Sequence, residues 1–283
     1  MAAWQGTKMK QKKKKRLIIF TITFAILFAF FWYQNKHLTI TYYTYTNGKI
    51  TSEFDGYRIV QISDLHNASF GQDNQRLLTK IEALNPDMIV ITGDVVDSNR
   101  TNINTAVTFV QNAARLCPVY YVTGNHENWL SGADKEKLIK GFTDADAVIL
   151  SNSVIEIAKG NESFALIGLN DENLSDGTLD SLASTLDSDR FWLLLAHEPQ
   201  YLDDYSRSKV DLVLTGHAHG GQFRLPFIGG VVAPDQGLFP EYTEGIHQSG
   251  NTTMVISRGL GNSIIPVRLF NDPEIVCVDL AAE

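Results

Sequence analysis

"YRIVQISDLHN" occupies Tyr57 to Asn67. Its first half is an apolar run, Ile59, Val60 and Ile62, around a single Gln61. Its second half stops on an acid and an imidazole, Asp64 and His66. A run of that length, rich in β-branched residues and ended by polar ones, reads as a buried strand. The pattern recurs downstream. "NQRLLTKIEAL" (Asn74–Leu84) spaces Leu77, Leu78, Ile81 and Leu84 along one helical face, and "PDMIVIT" then runs into "GDVVD" (Gly93–Asp97). "NTAVTFVQNAARL" (Asn104–Leu116) is a second helix, and "PVYYVT" runs into "GNHEN" (Gly124–Asn128). Strand, helix, strand, helix, strand predicts an α/β domain with a parallel sheet and crossover helices.

The second half adds more strands. "SFALIGL", "FWLLLA" and "VDLVLT" are short apolar runs, and the last two end in "AHEP" and "GHAHG". "TTMVIS" and "EIVCVDL" close the chain as further strands. The Gly- and Pro-containing stretch from Arg224 to Gly245 is the longest irregular segment, of the kind that often carries function.

The N-terminus has a different character. Residues 1–16 form a basic tail, "KMKQKKKKR" at its core, and no acid occurs before Glu53. Residues 17–33, "LIIFTITFAILFAFFWY", carry no charge and reach the lower limit of about 17–25 residues for a transmembrane helix. The lysine block predicts a cytoplasmic N-terminus and an extracytoplasmic remainder. A cleaved signal peptide is the competing reading, but the bulky "FFWYQNKHL" offers no small-residue cleavage site. Residues 17–33 therefore read as a signal anchor, 34–56 as a linker with an edge strand in "LTITYYTYT", and 57–283 as the main domain.

Seven of the 24 Lys and Arg lie in the tail, leaving 17 against 32 acids and a net charge near −15 beyond it. That argues against a nucleic-acid groove, which needs a positive footprint, and suits a site that gathers metal cations. Cys117 and Cys277 lie 160 residues apart in apolar segments, without metal spacing, and read as free buried thiols.

The polar residues at the strand ends form a set: Asp64 and His66, Asp94 and Asp97, Asn125 and His126, His197, then His217 and His219. It holds five of the chain's seven histidines, all but His37 and His247, in five motifs, in order, each after an apolar run.

 In a parallel α/β sheet the carboxyl ends of the strands share one edge, where ligands bind. A lone Asp after a strand is usually a helix cap, and a lone His is usually structural, but caps do not explain five motifs in series. Gly93, Gly124 and Gly216 each precede a candidate ligand, where a bare backbone permits a sharp turn. Carboxylate, imidazole and amide donors without thiolate favour divalent Mn, Fe or Zn. About seven donors exceed the needs of one tetrahedral ion and suit a pair of ions that clamps a phosphoryl group.

D-x-H, G-D-x-x-D, G-N-H-E, a separate His and G-H-x-H, in this order, resemble the calcineurin-like metallophosphoesterase family from about Tyr57 to Leu280. The anchor, "SDLHN" and "GLGNSIIPVRLFNDPEIV" resemble its membrane-associated YkuE/YaeI-like bacterial branch. The resemblance implies a four-layer αββα sandwich, two mixed sheets flanked by helices, here preceded by one transmembrane helix. It implies two divalent metal ions, one held by Asp64, His66 and His219, the other by Asn125, His197 and His217, with Asp94 bridging. It implies attack by a metal-bridged hydroxide, with His126 as the acid for the leaving oxygen and Asp97 orienting His126 by a hydrogen bond. Ser98 and Asn99 follow "GDVVD" where the protein-phosphatase branch carries Arg-Gly, which argues against a protein phosphatase.

The expected activity is hydrolysis of a phosphodiester or pyrophosphate, on a lipid or envelope substrate near the membrane. The alternatives are a phosphomonoesterase that scavenges phosphate outside the cytoplasm, and a non-catalytic metal-binding scaffold. The scaffold predicts missing ligands, and none is missing. Outside the motifs, His37 reads as interfacial, His247 as a surface residue and Arg258 as a salt-bridge partner. Glu127 and Glu198 read either as supports behind the ligands or as solvated acids; Phe227, Phe239 and Tyr242 read either as core or as a lipid-facing groove.

Overall fold

A computed structural model describes residues 2–174, 176–263 and 265–283, with side chains from residue 12 onward. Its first element, α1 (Ala2–Lys36), runs unbroken through the basic block and the apolar run, past both limits of the expected 17–33 segment. The stretch Lys12–Lys36 is long and apolar enough to cross a membrane, and Leu17, Phe20, Phe24 and Phe28 on it are exposed.

The main domain follows as β1 (Thr39–Thr46), β2 (Arg58–Ile62), α2 (Gln75–Ala83), β3 (Met88–Thr92), α3 (Ile103–Ala113), β4 (Val119–Val122), α4 (Asn125–Asn128), α5 (Gly132–Thr143) and β5 (Val148–Ile149). Next come β6 (Ser153–Lys159), β7 (Glu162–Gly168), α6 (Thr178–Ala183), β8 (Trp192–Leu195), α7 (Leu202–Arg207) and β9 (Leu212–Thr215). Four two-residue strands, β10 (Arg224–Leu225), β11 (Gly229–Gly230), β12 (Val232–Ala233) and β13 (Gly237–Leu238), break up the expected irregular segment. The chain ends with β14 (Gly245–Ser249), β15 (Thr252–Ile256) and β16 (Glu274–Ala281).

Among the described residues these strands form two six-stranded sheets, ordered β1-β16-β2-β3-β4-β5 and β14-β15-β9-β8-β7-β6, and two small hairpins. The β2–β3–β4 run is parallel, as the strand–helix rhythm predicts, whereas β16 is antiparallel to β2, so the first sheet is mixed. Side chains alternate across each strand with period two. Val60, Ile62, Ile89 and Ile91 face one core, where Leu77, Ile81, Phe109 and Phe142 from the helices cover them. Ile59, Met88 and Val90 face a second core and meet Leu193, Leu195, Leu212 and Leu214 of the other sheet. Trp192, Leu194 and Val213 face a third, covered by Leu179, Leu202 and Tyr205. Three cores between four layers make the αββα sandwich. Each fully buried Leu or Ile contributes roughly 1.5–3 kcal/mol by leaving water.

Local caps set the helix starts. The Asn102 side chain accepts from Thr105 N–H at the head of α3, and Ser131 does the same for Asp134 N–H at α5. Cys117 and Cys277 are both free, as expected, but only Cys277 is buried and Cys117 is half-buried.

Candidate functional site

Asp64 and His66 follow β2, Asp94 follows β3, Asn125 and His126 follow β4, His197 follows β8, and His217 and His219 follow β9. All of these strand ends converge, and every Asp and His among them is buried. Two groups of donor atoms, each lying within 4.8 Å of one another, result: Asp64 with His66 and His219, and Asp94 with His197 and His217. Asn125 Oδ1 joins the second group, 3.1 Å from His197 Nε2 and 3.2 Å from His217 Nδ1. Asp94 lies between the groups, its Oδ2 3.4 Å from His66 Nε2 and 3.3 Å from His197 Nε2. All seven candidate ligands of the sequence reading are thus brought together.

The backbone is bent to achieve this. Asp64, His66, Asp94, His217 and His219 all have φ between 44° and 63°, the left-handed region that L-residues seldom occupy. Strain of that kind persists only where surrounding structure enforces it. Gly216 shows how closely the parts approach. A Cβ there would lie 1.8 Å from Ser63 Oγ and 2.3 Å from Asp64 Oδ2. Gly93, at φ 87°, has His197 Nδ1 within 2.6 Å of the same notional atom.

Hydrogen bonds behind the donors choose which ring nitrogen faces inward. His197 Nδ1 donates to Thr92 O at 2.7 Å, freeing Nε2. His217 Nε2 meets Asp235 Oδ2 at 3.0 Å, freeing Nδ1. Burial pushes His66 and His219 down to about 3, so both rings are neutral, the form that binds metal. Burial would raise the Asp94 carboxyl, but the imidazoles of His197 and His66 hold it below the usual carboxylate range. Both ring nitrogens of His66, and Nδ1 of His219, are buried without a hydrogen-bond partner. Orphaned buried nitrogens beside buried carboxylates are what divalent cations would satisfy, so the donor set fits two ions.

Glu127 is fully buried and accepts from the backbone N–H groups of Gly124, Asp94, Val95 and Val96. Of its two sequence readings, support behind the ligands is the one observed. Burial and the neighbouring Asp94 push its carboxyl up to about 7.

The expected hydrogen bond between Asp97 and His126 is not made: Oδ1 and Nδ1 are 4.0 Å apart. Ser98 stands there instead. Its N–H donates to His126 Nδ1 at 3.1 Å, and its hydroxyl lies at the same distance. Asp97 is committed to the N–H groups of Asn99 and Arg100 and to the Arg100 guanidinium. A donor at Nδ1 leaves the His126 proton on Nε2, which meets Ser263 Oγ at 3.1 Å.

Arg258 pairs with Glu274 and Glu244, a salt bridge as expected. His37 is fixed to Asp272 at 2.9 Å. His247 is half-buried beside Tyr242. Phe227 and Phe239 are exposed, not core, while Tyr242 packs partly against the third core. Glu198 is half-buried and groups with His217 and Asp235. The sequence reading missed Arg268, which is buried and donates to the carbonyls of Arg258 and Gly261, and Asn271, which donates to His219 O. The only signal for either was an Arg set between the apolar Val267 and Leu269 and an Asn directly after Phe270.

The calcineurin-like phosphoesterase family model matches residues 57–221, more than half of the chain and the whole run of ligand motifs. The chain belongs to the calcineurin-like phosphoesterase family. It is a metal-dependent phosphoric ester hydrolase. It is 31% identical to the uncharacterized metallophosphoesterase YkuE of Bacillus subtilis, over 88% of this chain and 87% of that one. It is 30% identical to the phosphodiesterase YaeI of Escherichia coli, over 79% and 82% of the two chains. The phosphopantetheinyl hydrolase of Mycobacterium tuberculosis aligns in structure with a TM-score of 0.47 at 13% identity, over 71% of this chain and 89% of that one.

Proposed function

We propose that this phosphoesterase is anchored in a membrane by α1 and hydrolyses a phosphodiester or pyrophosphate bond of a substrate close to the bilayer. The observation that carries the reading is the pair of buried donor groups on either side of Asp94. Asp64, His66 and His219 would hold one divalent ion, and Asn125, His197 and His217 the other, with Asp94 shared. Mn, Fe or Zn suits these donors. Bound there, the ions supply charge neutralisation at phosphorus and a water acidic enough to attack.

The chain's own residues do the rest. Thr92 O and Asp235 keep the His197 and His217 rings in register. His126 offers its Nε2–H as a hydrogen-bond donor to the developing charge on the leaving oxygen, with Ser98 N–H holding Nδ1. Asp97 acts one step back, by fixing the turn that carries Ser98 and Arg100. A diester brings less negative charge than a monoester. Arg258 and Arg268 are committed to carboxylates or carbonyls, which leaves only Arg100 of these three, itself paired with Asp97, at the cavity beside His66. The name of the YaeI relative supports the same choice. The lysine-rich start of α1 supports a cytoplasmic N-terminus with the catalytic domain on the other side.

The test uses the full chain in detergent, stripped of metal and reloaded with Mn, Fe, Zn or Mg. Hydrolysis of an activated diester is measured beside the matching monoester, with Asp94→Asn and His126→Ala as controls. Metal-dependent diester cleavage lost in Asp94→Asn is expected. Preference for the monoester would replace this reading with the phosphate scavenger.

A further inference from the structure

The end of α1 is built into the domain. Lys36 Nζ donates to Ser69 O, Asn262 donates to Asn35 Oδ1, and His37 pairs with Asp272. The Phe270 ring lies 5.9 Å from Phe30, six residues before Lys36, or about 9 Å down the helix axis. Phe270 therefore sits level with the apolar part of α1 and is 55% exposed.

Strand direction sets which end of the domain faces that way. β1 starts beside the end of α1 and is parallel to β16, while β2 runs antiparallel to β16. Val276 faces both Thr41 and Gln61. The carboxyl end of β2, with Asp64, thus returns to the α1 end of the sheet. A cavity of about 520 Å³ joins the two, lined by Asn35 and Lys36 of α1, His66 of the candidate site, and Arg100.

The β10–β11 hairpin stands on the same side. Phe223 bridges to Leu269, and Arg224 N–H donates to Leu269 O, next to Phe270. Its tip carries Leu225, Phe227 and Ile228, with Phe227 fully exposed and Ile228 58% exposed. Neither "RLPFIGGV" nor "IPVRLF" contains an acid, although the chain beyond the basic tail is strongly acidic overall. A contiguous apolar, acid-free surface marks an interaction site.

We propose that the Leu225–Ile228 tip and Phe270 enter the interfacial layer of the bilayer beside α1, as a second membrane contact that turns the metal-site cavity toward the lipid headgroups. The occupant is the bilayer, because the surface is continuous with the apolar flank of α1. The inference rests on the anchoring reading above.

The test places a fluorophore at Phe227→Cys in the full chain, reconstituted in phospholipid vesicles. Asn161→Cys is the reference, in the β6–β7 turn. Gly160 there adjoins Glu53, past the far end of β1, about 25 Å from α1 at the rise of a strand. The unsubstituted chain gives the background from Cys117 and Cys277. Lipid-borne quencher should act at least about threefold more strongly at Phe227→Cys, since an inserted tip lies about 5–10 Å into the boundary. Equal access of a water-soluble quencher to both sites, with α1 still resistant to carbonate extraction, would overturn the second contact and leave the anchor standing. Release of the whole chain by carbonate would overturn the anchor, and this inference with it.

Discussion

His217 Nε2 and Asp235 Oδ2 stand 3.0 Å apart, joining the β12–β13 hairpin to a candidate metal ligand. Carboxylates behind ligating histidines fix the ring and raise its basicity. Asp235→Ala should leave the fold intact and weaken the second metal by about 10–100-fold. Calorimetric titration of the stripped protein with Mn or Zn checks this, and Asp235→Asn should recover part of the loss.

Glu127 serves four backbone N–H groups in the turns that carry Asp94 and Asn125. Leaving buried donors unpaired costs about 1–3 kcal/mol each. Glu127→Ala should lower stability by at least about 3 kcal/mol and loosen metal binding, read by denaturant unfolding with and without metal.

Gly216 tolerates no side chain beside Ser63 and Asp64. Gly216→Ala should displace Asp64 and lower diester turnover by about 100-fold, the scale of a 1 Å misplacement. Circular dichroism of the variant should remain that of a folded α/β protein.

His126→Ala should cost about 10²–10⁴ in turnover of a diester with a poor leaving group. A nitrophenyl diester, whose leaving oxygen needs no proton, should suffer far less. An equal loss on both substrates would assign His126 a structural role.

Chelation should abolish activity and lower the Tm, because ions that bind only the folded chain stabilise it by about 2.7 kcal/mol at 100 times their Kd. Thermal scans across a metal series check this, with Asp94→Asn giving the smaller shift.

The candidate ligands are legible in the sequence because each stands where an apolar run stops, and sheet topology does the converging. Edge strands are harder to read. β6 and β14 each expose one face, so "SVIEIAK" and "GIHQS" lack the uniform apolar run that marks the central strands. Asp235 and Arg268 depend on contacts between distant loops, and the partners of Arg268 are backbone carbonyls that no residue pattern names. Ser98 displaces Asp97 at His126 through the path of one turn, which spacing alone does not specify.

The strand order β1-β16-β2 places the last strand of the chain between its first two. A ribosome makes β1 and β2 early, and β3 soon pairs with β2, yet the edges that β1 and β2 turn toward each other stay unpaired until β16 has been made. Such distant pairings are slow to form. The sheet bearing Asp64 is therefore completed only by this distant pairing, and until β16 docks that edge of β2 stays open.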